Sequence, residues 1–321
     1  MGLPRNVLRP VEADWAHDWG GRPAPARYQA STLELGLPLG LEGVGANLKR
    51  LPPGSHGGPL HWHLVEEELF YVVSGELVVR ELAPDADRYR EYALRAGELV
   101  AYPPGTKLAH TSLCRAAEPA LYLSLSDDRA PHEVCWLPDS GKALLRGFGI
   151  GRLGDDAEPV RRRAVHLGDE ERPAWVAGPG RVPERVLAEG VHGRPLARAA
   201  GATRVFLNVD RLAPAAISGP LHWHTADDEL VLVLAGRPTL RQVRDGVEER
   251  VVLQPGDAVG FRAGDRVAHQ LRGGDDEAVL VVVGNHRVDD VTVMPELGEI
   301  AVRALGRRAR FTPVEYWEGE T

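Results

Sequence analysis

Lysine is nearly missing from this 321-residue chain: Lys49, Lys107 and Lys142 are the only three, so arginine carries almost all of its positive charge. With 38 Lys+Arg against 46 Asp+Glu, the formal net charge is −8. The longest basic runs, Arg161-Arg162-Arg163 and Arg307-Arg308, read as solvated segments. Nucleic-acid binding needs clustered cations, so it is not expected. Cysteine is scarcer still. Cys114 and Cys135 are too few for a disulfide framework in a chain of this size, and two free thiols in a reducing cytoplasm are expected. Long apolar runs are absent too. No stretch approaches the roughly 20 residues that span a bilayer, and Met1-Gly2-Leu3-Pro4-Arg5 starts no apolar signal core, so no membrane partner is expected. No long segment repeats its apolar residues at the 3.6-residue helical period, which excludes a helical fold and leaves room only for short helices near the ends of each half.

What the chain does contain is short apolar runs between glycines and prolines. Leu69–Val73, Leu77–Val79, Leu99–Tyr102 and Leu121–Leu125 in the first half are answered by Leu230–Leu234, Val251–Leu253, Ala258–Phe261 and Val279–Val283 in the second. That spacing predicts an all-β fold of sandwich or barrel type. The first 40 or so residues show no clear strand and are expected to pack across one barrel or reach to the other. Gly147–Asp156, glycine-rich and then charged, reads as a linker. We place the boundary near residue 158, giving domains of 1–158 and 159–321.

One cluster is written twice. His61-Trp62-His63, Glu68, Gly75 and His110 recur as His222-Trp223-His224, Glu229, Gly236 and His269. The offset is 161 for all but the last member and 159 there (222−61, 229−68, 236−75, 269−110). Asn47, Arg50-Leu51, Pro53 and Gly58-Pro59-Leu60 recur at 161 as Asn208, Arg211-Leu212, Pro214 and Gly219-Pro220-Leu221, and Leu137-Pro138-x-x-Gly141 parallels Met294-Pro295-x-x-Gly298. Each copy is long enough to be a domain.

In a strand, residues two apart face the same way, so His61 and His63 share a face while Trp62 packs on the other. Five residues separate His63 from Glu68, an odd step, so the chain must bend between them to bring the carboxylate back. His110 closes the set from a later strand. Three neutral imidazoles and a carboxylate suit Fe, Mn, Ni, Co, Cu or Zn better than Ca or Mg, with iron favoured, and can leave coordination positions open. The predicted ligands are His61, His63, Glu68 and His110, then His222, His224, Glu229 and His269, and metal loading should fail in acid because protons compete for the imidazoles.

These motifs resemble those of the cupin superfamily, and the two copies resemble a two-domain cupin, or bicupin. The first family motif, G-x5-H-x-H-x3–4-E-x6-G, is matched in both halves except that Ser55 and Ala216 replace the leading glycine. Its x6-Gly spacing picks Glu68 over Glu66 and Glu67, and Glu229 over Asp227 and Asp228. The second, G-x5-P-x-G-x2-H-x3-N, is looser: both halves have four residues rather than two before His110 and His269, Arg262 replaces the proline in the second half, and Cys114 and Gly273 occupy the asparagine position. The resemblance implies two tandem jelly-roll barrels over about residues 44–142 and 203–298. It implies no single reaction, since one fold hosts many.

On this basis the expected function is a metal-dependent enzyme acting on a small organic molecule. Dioxygenase-like oxidation leads and isomerisation through an enediolate follows, with Glu68 and Glu229 as ligands and candidate bases. A non-catalytic metal-binding module is the alternative. One working and one silent site also fit. Oxalate decarboxylases resemble the chain in their His-Trp-His string but carry an arginine three residues before the first histidine, where this chain has Gly58 and Gly219. That reading ranks low. A homodimer is a further expectation, or a pairing of the two halves that mimics one. No helix-turn-helix precedes the barrels.

Other residues receive milder expectations. Tyr102 and Phe261 read as packed aromatics, Tyr102 alternatively as a pocket hydroxyl. Ser112 and Cys114 share parity with His110, and Ser112 is a candidate donor behind the ligands. Arg50 and Arg211 are ion-pair or anion-binding candidates. Lys107 and Arg266 should face water, and His56, His132, His166, His192 and His286 should be surface or loop residues.

Overall fold

A computed structural model describes residues 3–11, 14–17, 24–127, 132–152 and 162–319. Within them nearly all regular secondary structure is strand, with one short α-helix at Leu196–Ala199 and a few 3-10 turns. It forms two lobes, each a jelly roll of facing sheets.

In the N-terminal lobe a six-stranded sheet runs in the order Ala16–His17, Ser31–Glu34, Gly45–Leu51, Ala120–Ser126, Glu68–Ser74, Leu99–Tyr102. It faces a four-stranded sheet of Ala109–Leu113, Glu76–Leu82, Tyr89–Arg95 and Ala164–His166. A third sheet, built from Trp62–His63, Val134–Leu137, Lys142–Leu145 and Gly149–Arg152, closes one end. The C-terminal lobe repeats the plan. Its large sheet contains Ala258–Phe261, Glu229–Ala235, Ala278–Asn285 and Val205–Leu212 in that order, with Thr239–Arg244 and Ala268–Arg272 in the facing sheet and Trp223–His224 at the end.

The central strands are buried on both faces, which explains why they read as continuous apolar runs rather than alternating ones. Along Glu68–Ser74, Phe70 and Val72 point into the barrel with Tyr92, Tyr102 and Tyr122. Leu69 and Tyr71 point outward into a second cluster shared with Leu207, Leu230, Leu232, Val281 and Val283 of the other lobe. In Glu229–Ala235 the same split sends Val231 and Val233 inward and Leu230 and Leu232 toward the N-terminal lobe. The lobes therefore pack large sheet against large sheet around one apolar layer.

Segments also cross between lobes. Val7–Leu8 pairs with Val259 and Ala258 at the edge of the C-terminal sheet, fastened by Arg9 to Asp257 (2.8 and 2.6 Å). Ala164–His166 pairs in parallel with Tyr89–Glu91 of the N-terminal lobe. The boundary residue near 158 and the end of the expected linker lie outside the described residues. The start of that linker is a strand instead, Gly149–Arg152, paired with Lys142–Leu145. Three strands also lie in the first 40 residues, Val7–Leu8, Ala16–His17 and Ser31–Glu34, contrary to expectation. Two of them are two-residue edge additions, which need a neighbouring sheet and carry no alternating pattern of their own.

Candidate metal centres

Both quartets are assembled on the same backbone frame. His61 and His110 lie opposite each other on antiparallel segments and exchange both main-chain bonds, His61 N–H to His110 O at 3.1 Å and the reverse at 2.7 Å. His222 and His269 do the same at 3.2 and 2.8 Å. This register brings together imidazoles that are far apart in sequence. His63 follows on the same face as His61, while Trp62 packs with Leu60, Leu82, Tyr89 and Ala109 on the other. The chain then bends over residues 64–67 and re-enters a strand at Glu68. Glu133 holds that bend, accepting the N–H groups of Leu64, Val65 and Glu66 at 3.0, 3.0 and 2.7 Å. Asp290 does so in the second lobe for Ala226 and Asp227, at 3.0 and 3.2 Å.

The donor atoms converge. Nε2 of His110, His61 and His63 lie 2.8, 3.4 and 3.6 Å from one oxygen of Glu68, Oε2. Bonds of about 2.1 Å meeting at about 90° to 110° place two donors about 3.0 to 3.4 Å apart; the donors of His61, Glu68 and His110, all within 4.8 Å of one another, fit atoms that share one ion, with His63 lying farther out. In the second lobe the Nε2 of His269 and His224 lie 3.3 and 3.7 Å from the Glu229 carboxylate, and the donors of His222, Glu229 and His269 fall within 4.8 Å of one another.

The opposite edge of five of the six rings is hydrogen-bonded, which fixes the tautomer of those five. Nδ1–H of His61, His110, His222 and His269 donates to the carbonyl two residues back, on Pro59, Leu108, Pro220 and Val267, at 2.8, 3.0, 2.9 and 3.2 Å. His224 Nδ1–H donates to Asp290 at 2.8 Å, and His63 Nδ1 faces Glu133 at 3.4 Å. In the four rings whose Nδ1–H meets a carbonyl, Nε2 presents a lone pair to the centre, as a metal-binding histidine requires.

Electrostatics agree with this arrangement. Burial opposes ionisation of Glu68, but the contacts with the facing His110, His61 and His63 rings outweigh it and hold the carboxyl well below its usual range. Glu229 is held at about 2 in the same way, by His269 foremost. Burial pushes His110 and His222 down to about 4, so both are neutral donors near pH 7. For His63 burial is overcome by Glu133 and Glu68, which raise it to about 10, so a bound cation would have to displace a proton there.

Aromatic walls back each centre. The Tyr102 ring stacks on His110 (centroids 3.5 Å, 5°) and Phe261 on His269 (3.5 Å, 9°). Tyr102 is thus a packed aromatic whose hydroxyl donates to buried Glu81 at 3.2 Å, away from the centre. Ser112 hydrogen-bonds Tyr122 at 2.9 Å and does not back a ligand. That position is filled by Ser124, whose hydroxyl donates to Glu68 Oε1 at 3.3 Å. Cys114 is buried against main-chain carbonyls. Arg50 lies over the Trp15 ring and Arg211 pairs with Glu277 and Glu184, so neither enters a centre. Lys107 and Arg266, both at positive φ in their turns, are exposed. His132, His166, His192 and His286 are exposed, and half-buried His56 packs edge-on against Tyr28.

Glu133, Asp290 and Ser124 are the residues that sequence reasoning missed. A signal for the first two existed: Glu133 and Asp290 share the 157-residue offset of the matched Leu137-Pro138 and Met294-Pro295 (290−133, 294−137). Cys135 is a further neighbour, its sulfur within 4.8 Å of donor atoms of His61 and His63. A cavity of about 770 Å³ opens onto the N-terminal centre, bounded by His61, His63, Glu68, Asn47, Lys49, Cys135, Gly58 and residues of the N-terminal segment including His17.

Comparisons with known proteins agree with this geometry. A family model described as Cupin domain matches residues 47–126 and again 208–284. Among solved structures, an oxalate decarboxylase of Lactobacillus farciminis aligns at a TM-score of 0.57 and 13% identity, covering 92% of each chain. An oxalate decarboxylase of Bacillus subtilis, solved in a study of its Mn(II) centres, aligns at 0.56 and 18%, over 92% of this chain and 81% of its own. Vicilin from Solanum lycopersicum aligns at 0.54 and 13%, over 84% of both chains. No curated protein matches the sequence. At these identities the structural likenesses speak for the fold alone. The paired domains and their matched folds define a double jelly-roll protein, and the chain belongs to the cupin superfamily as a bicupin.

Proposed function

We propose that this bicupin is a metal-dependent enzyme acting on a small organic molecule, with its working centre in the N-terminal lobe. One divalent transition metal would be held there by His61, His63, Glu68 and His110, and a second by His222, His224, Glu229 and His269. The observation that carries this is the meeting of three imidazole Nε2 atoms at one oxygen of Glu68, beside a cavity of about 770 Å³. A cation such as Fe(II), Mn(II) or Ni(II) would supply open coordination positions for a chelating substrate, with O₂ beside it in dioxygenase-like oxidation.

The chain's own residues have separate tasks. The Nδ1 partners orient the rings before any ligand arrives. Glu68 stays ionised and balances cationic charge, and Ser124 holds its second oxygen. Glu68 therefore serves as a ligand first and as a proton acceptor only at Oε1; Glu229 is its counterpart. Phe70, Tyr102 and Tyr122 seal the barrel behind His110 and exclude water from that side. Decarboxylation of oxalate ranks lower, because Gly58 and Gly219 stand where the resembling oxalate decarboxylases carry an arginine three residues before the first histidine. A Cβ at Gly58 would meet nothing within 4 Å, so sterics do not impose this glycine.

The test is elemental analysis of untagged protein purified without chelator, followed by O₂ uptake with enol, catechol and diketone substrates and CO₂ release from oxalate. Two metals per chain with O₂ consumption are expected. Full loading without turnover of any class would leave a binding module. The two buried free thiols favour a reducing, cytoplasmic setting. The division near residue 158 and a homodimer are also proposed, the latter to be checked by sedimentation.

A further inference from the structure

The two centres share their donors but not their surroundings, and the largest difference is one of charge. In both lobes the strand that leads into the histidine segment sends alternate residues into the barrel. Ala46 and Leu48 face the inter-lobe layer, as do Leu207 and Val209, whereas Leu51 and Leu212 lie in the barrel cores. Residues of the same parity nearer the mouth are Asn47 and Lys49 in one lobe, Asn208 and Asp210 in the other. The match is structural as well as sequential: Lys49 pairs across the sheet with Tyr122, and Asp210 with Leu280, a neighbour at the equivalent place. The N-terminal cavity therefore carries an ammonium at the position where the C-terminal lobe carries a carboxylate.

Lys49 is half-buried and lines the cavity that holds His61, His63 and Glu68. Among the described lining residues it is the one lysine or arginine; the other acidic groups, Asp14 and Glu34, are exposed at the rim. It is not without a partner of its own in this structure. In the C-terminal lobe Asp210 Oδ1 is buried without a hydrogen-bond partner; burial, and after it nearby Glu229, disfavours its charge and raises the carboxyl to about 7. An organic anion entering there would meet a second acidic group beside Glu229 rather than a cation. Inside a barrel such an exchange of ammonium for acid decides which ligand is admitted, because screening by water is weak.

We propose that Lys49 makes the N-terminal centre selective for a small organic acid, which chelates the metal through a carboxylate and an adjacent carbonyl or hydroxyl oxygen, while Asp210 excludes the same ligand from the C-terminal centre. This rests on the metal reading above and assigns it a substrate class. The lysine ammonium is a compact point charge with three donors, suited to hold one carboxylate oxygen while the other stays available to the metal.

The test uses full-length Mn(II)-loaded protein titrated calorimetrically with pyruvate and, as a neutral analogue, methyl pyruvate. Metal content is measured on every sample. The expected result is one pyruvate site per chain. Lys49→Met should weaken pyruvate at least tenfold, change methyl pyruvate less than twofold and leave two metals bound. Lys49→Arg should keep pyruvate within a few-fold of wild type, which a merely structural role for the lysine would not predict. Unchanged pyruvate affinity in metal-replete Lys49→Met, two equal pyruvate sites in the wild type, or none at full loading would each overturn the inference alone. Failure of the wild type to hold metal would overturn the metal reading and this inference with it.

Discussion

His63 and His224 differ from the other four histidines in having a carboxylate rather than a carbonyl at Nδ1. A carboxylate partner raises the basicity of the ring and orients it, and losing such a partner typically lowers metal affinity about 10- to 100-fold. Glu133→Gln and Asp290→Asn should do the same here, each in its own lobe, as measured by chelator competition with metal counted per chain. Glutamine or asparagine keeps an oxygen for the main-chain N–H groups at the bend, so the unfolding midpoint should move far less than the affinity. The eight candidate ligands were legible because ligand chemistry tolerates few residue types and the repeat shows each choice twice. Ser124 was not legible. It is the one serine inside the run Leu121-Tyr122-Leu123-Ser124-Leu125, and only the pairing of Ser124 with Phe70 puts it beside Glu68.

At the scale of elements, the glycine that ends the first motif has a steric cause. Gly75 and Gly236 turn the chain at φ +78° and +76°. A Cβ at Gly75 would lie 2.6 Å from the Pro119 carbonyl oxygen, and one at Gly236 would press equally on Glu277 O. Both penalties fall on backbone that cannot swing aside. Gly75→Ala and Gly236→Ala should each cost roughly 2–4 kcal/mol, read from denaturant unfolding, whereas Gly58→Ala, with open space around its Cβ, should be near neutral. Strand positions were visible as apolar runs because the central strands are buried on both faces. The edge strands of the N-terminal segment were invisible because their stability comes from the sheet they join.

For the whole molecule, the two lobes are clasped by a matched pair of buried carboxylates. Glu67 accepts the N–H groups of Thr203, Arg204 and Val205 at 2.8, 2.9 and 2.8 Å. Asp228, its equivalent at the 161-residue offset, accepts those of Glu42 and Gly43 at 2.8 and 2.5 Å. Each therefore fastens the entry to the other lobe's large sheet, the relation expected of two barrels paired about a pseudo-twofold axis. Removing one partner orphans several buried donors, so Glu67→Ala should cost about 3 kcal/mol or more and speed hydrogen exchange at 203–205. Aspartate or glutamate beside a ligand carboxylate gives no hint of this in sequence, since Glu66, Glu67 and Glu68 differ only in the direction each points.

The sequence by itself determined the composition class, the strand-rich fold, its duplication and the donor quartets. Those follow from local periodicity, turn residues and ligand chemistry repeated at a constant offset. The tertiary structure alone decided which carboxylates orient the rings, which lobe each end of the chain joins, and that the second centre faces Asp210 where the first faces Lys49. These depend on strand register and on which face of a doubly buried strand looks inward, and neither is encoded within a short stretch of chain.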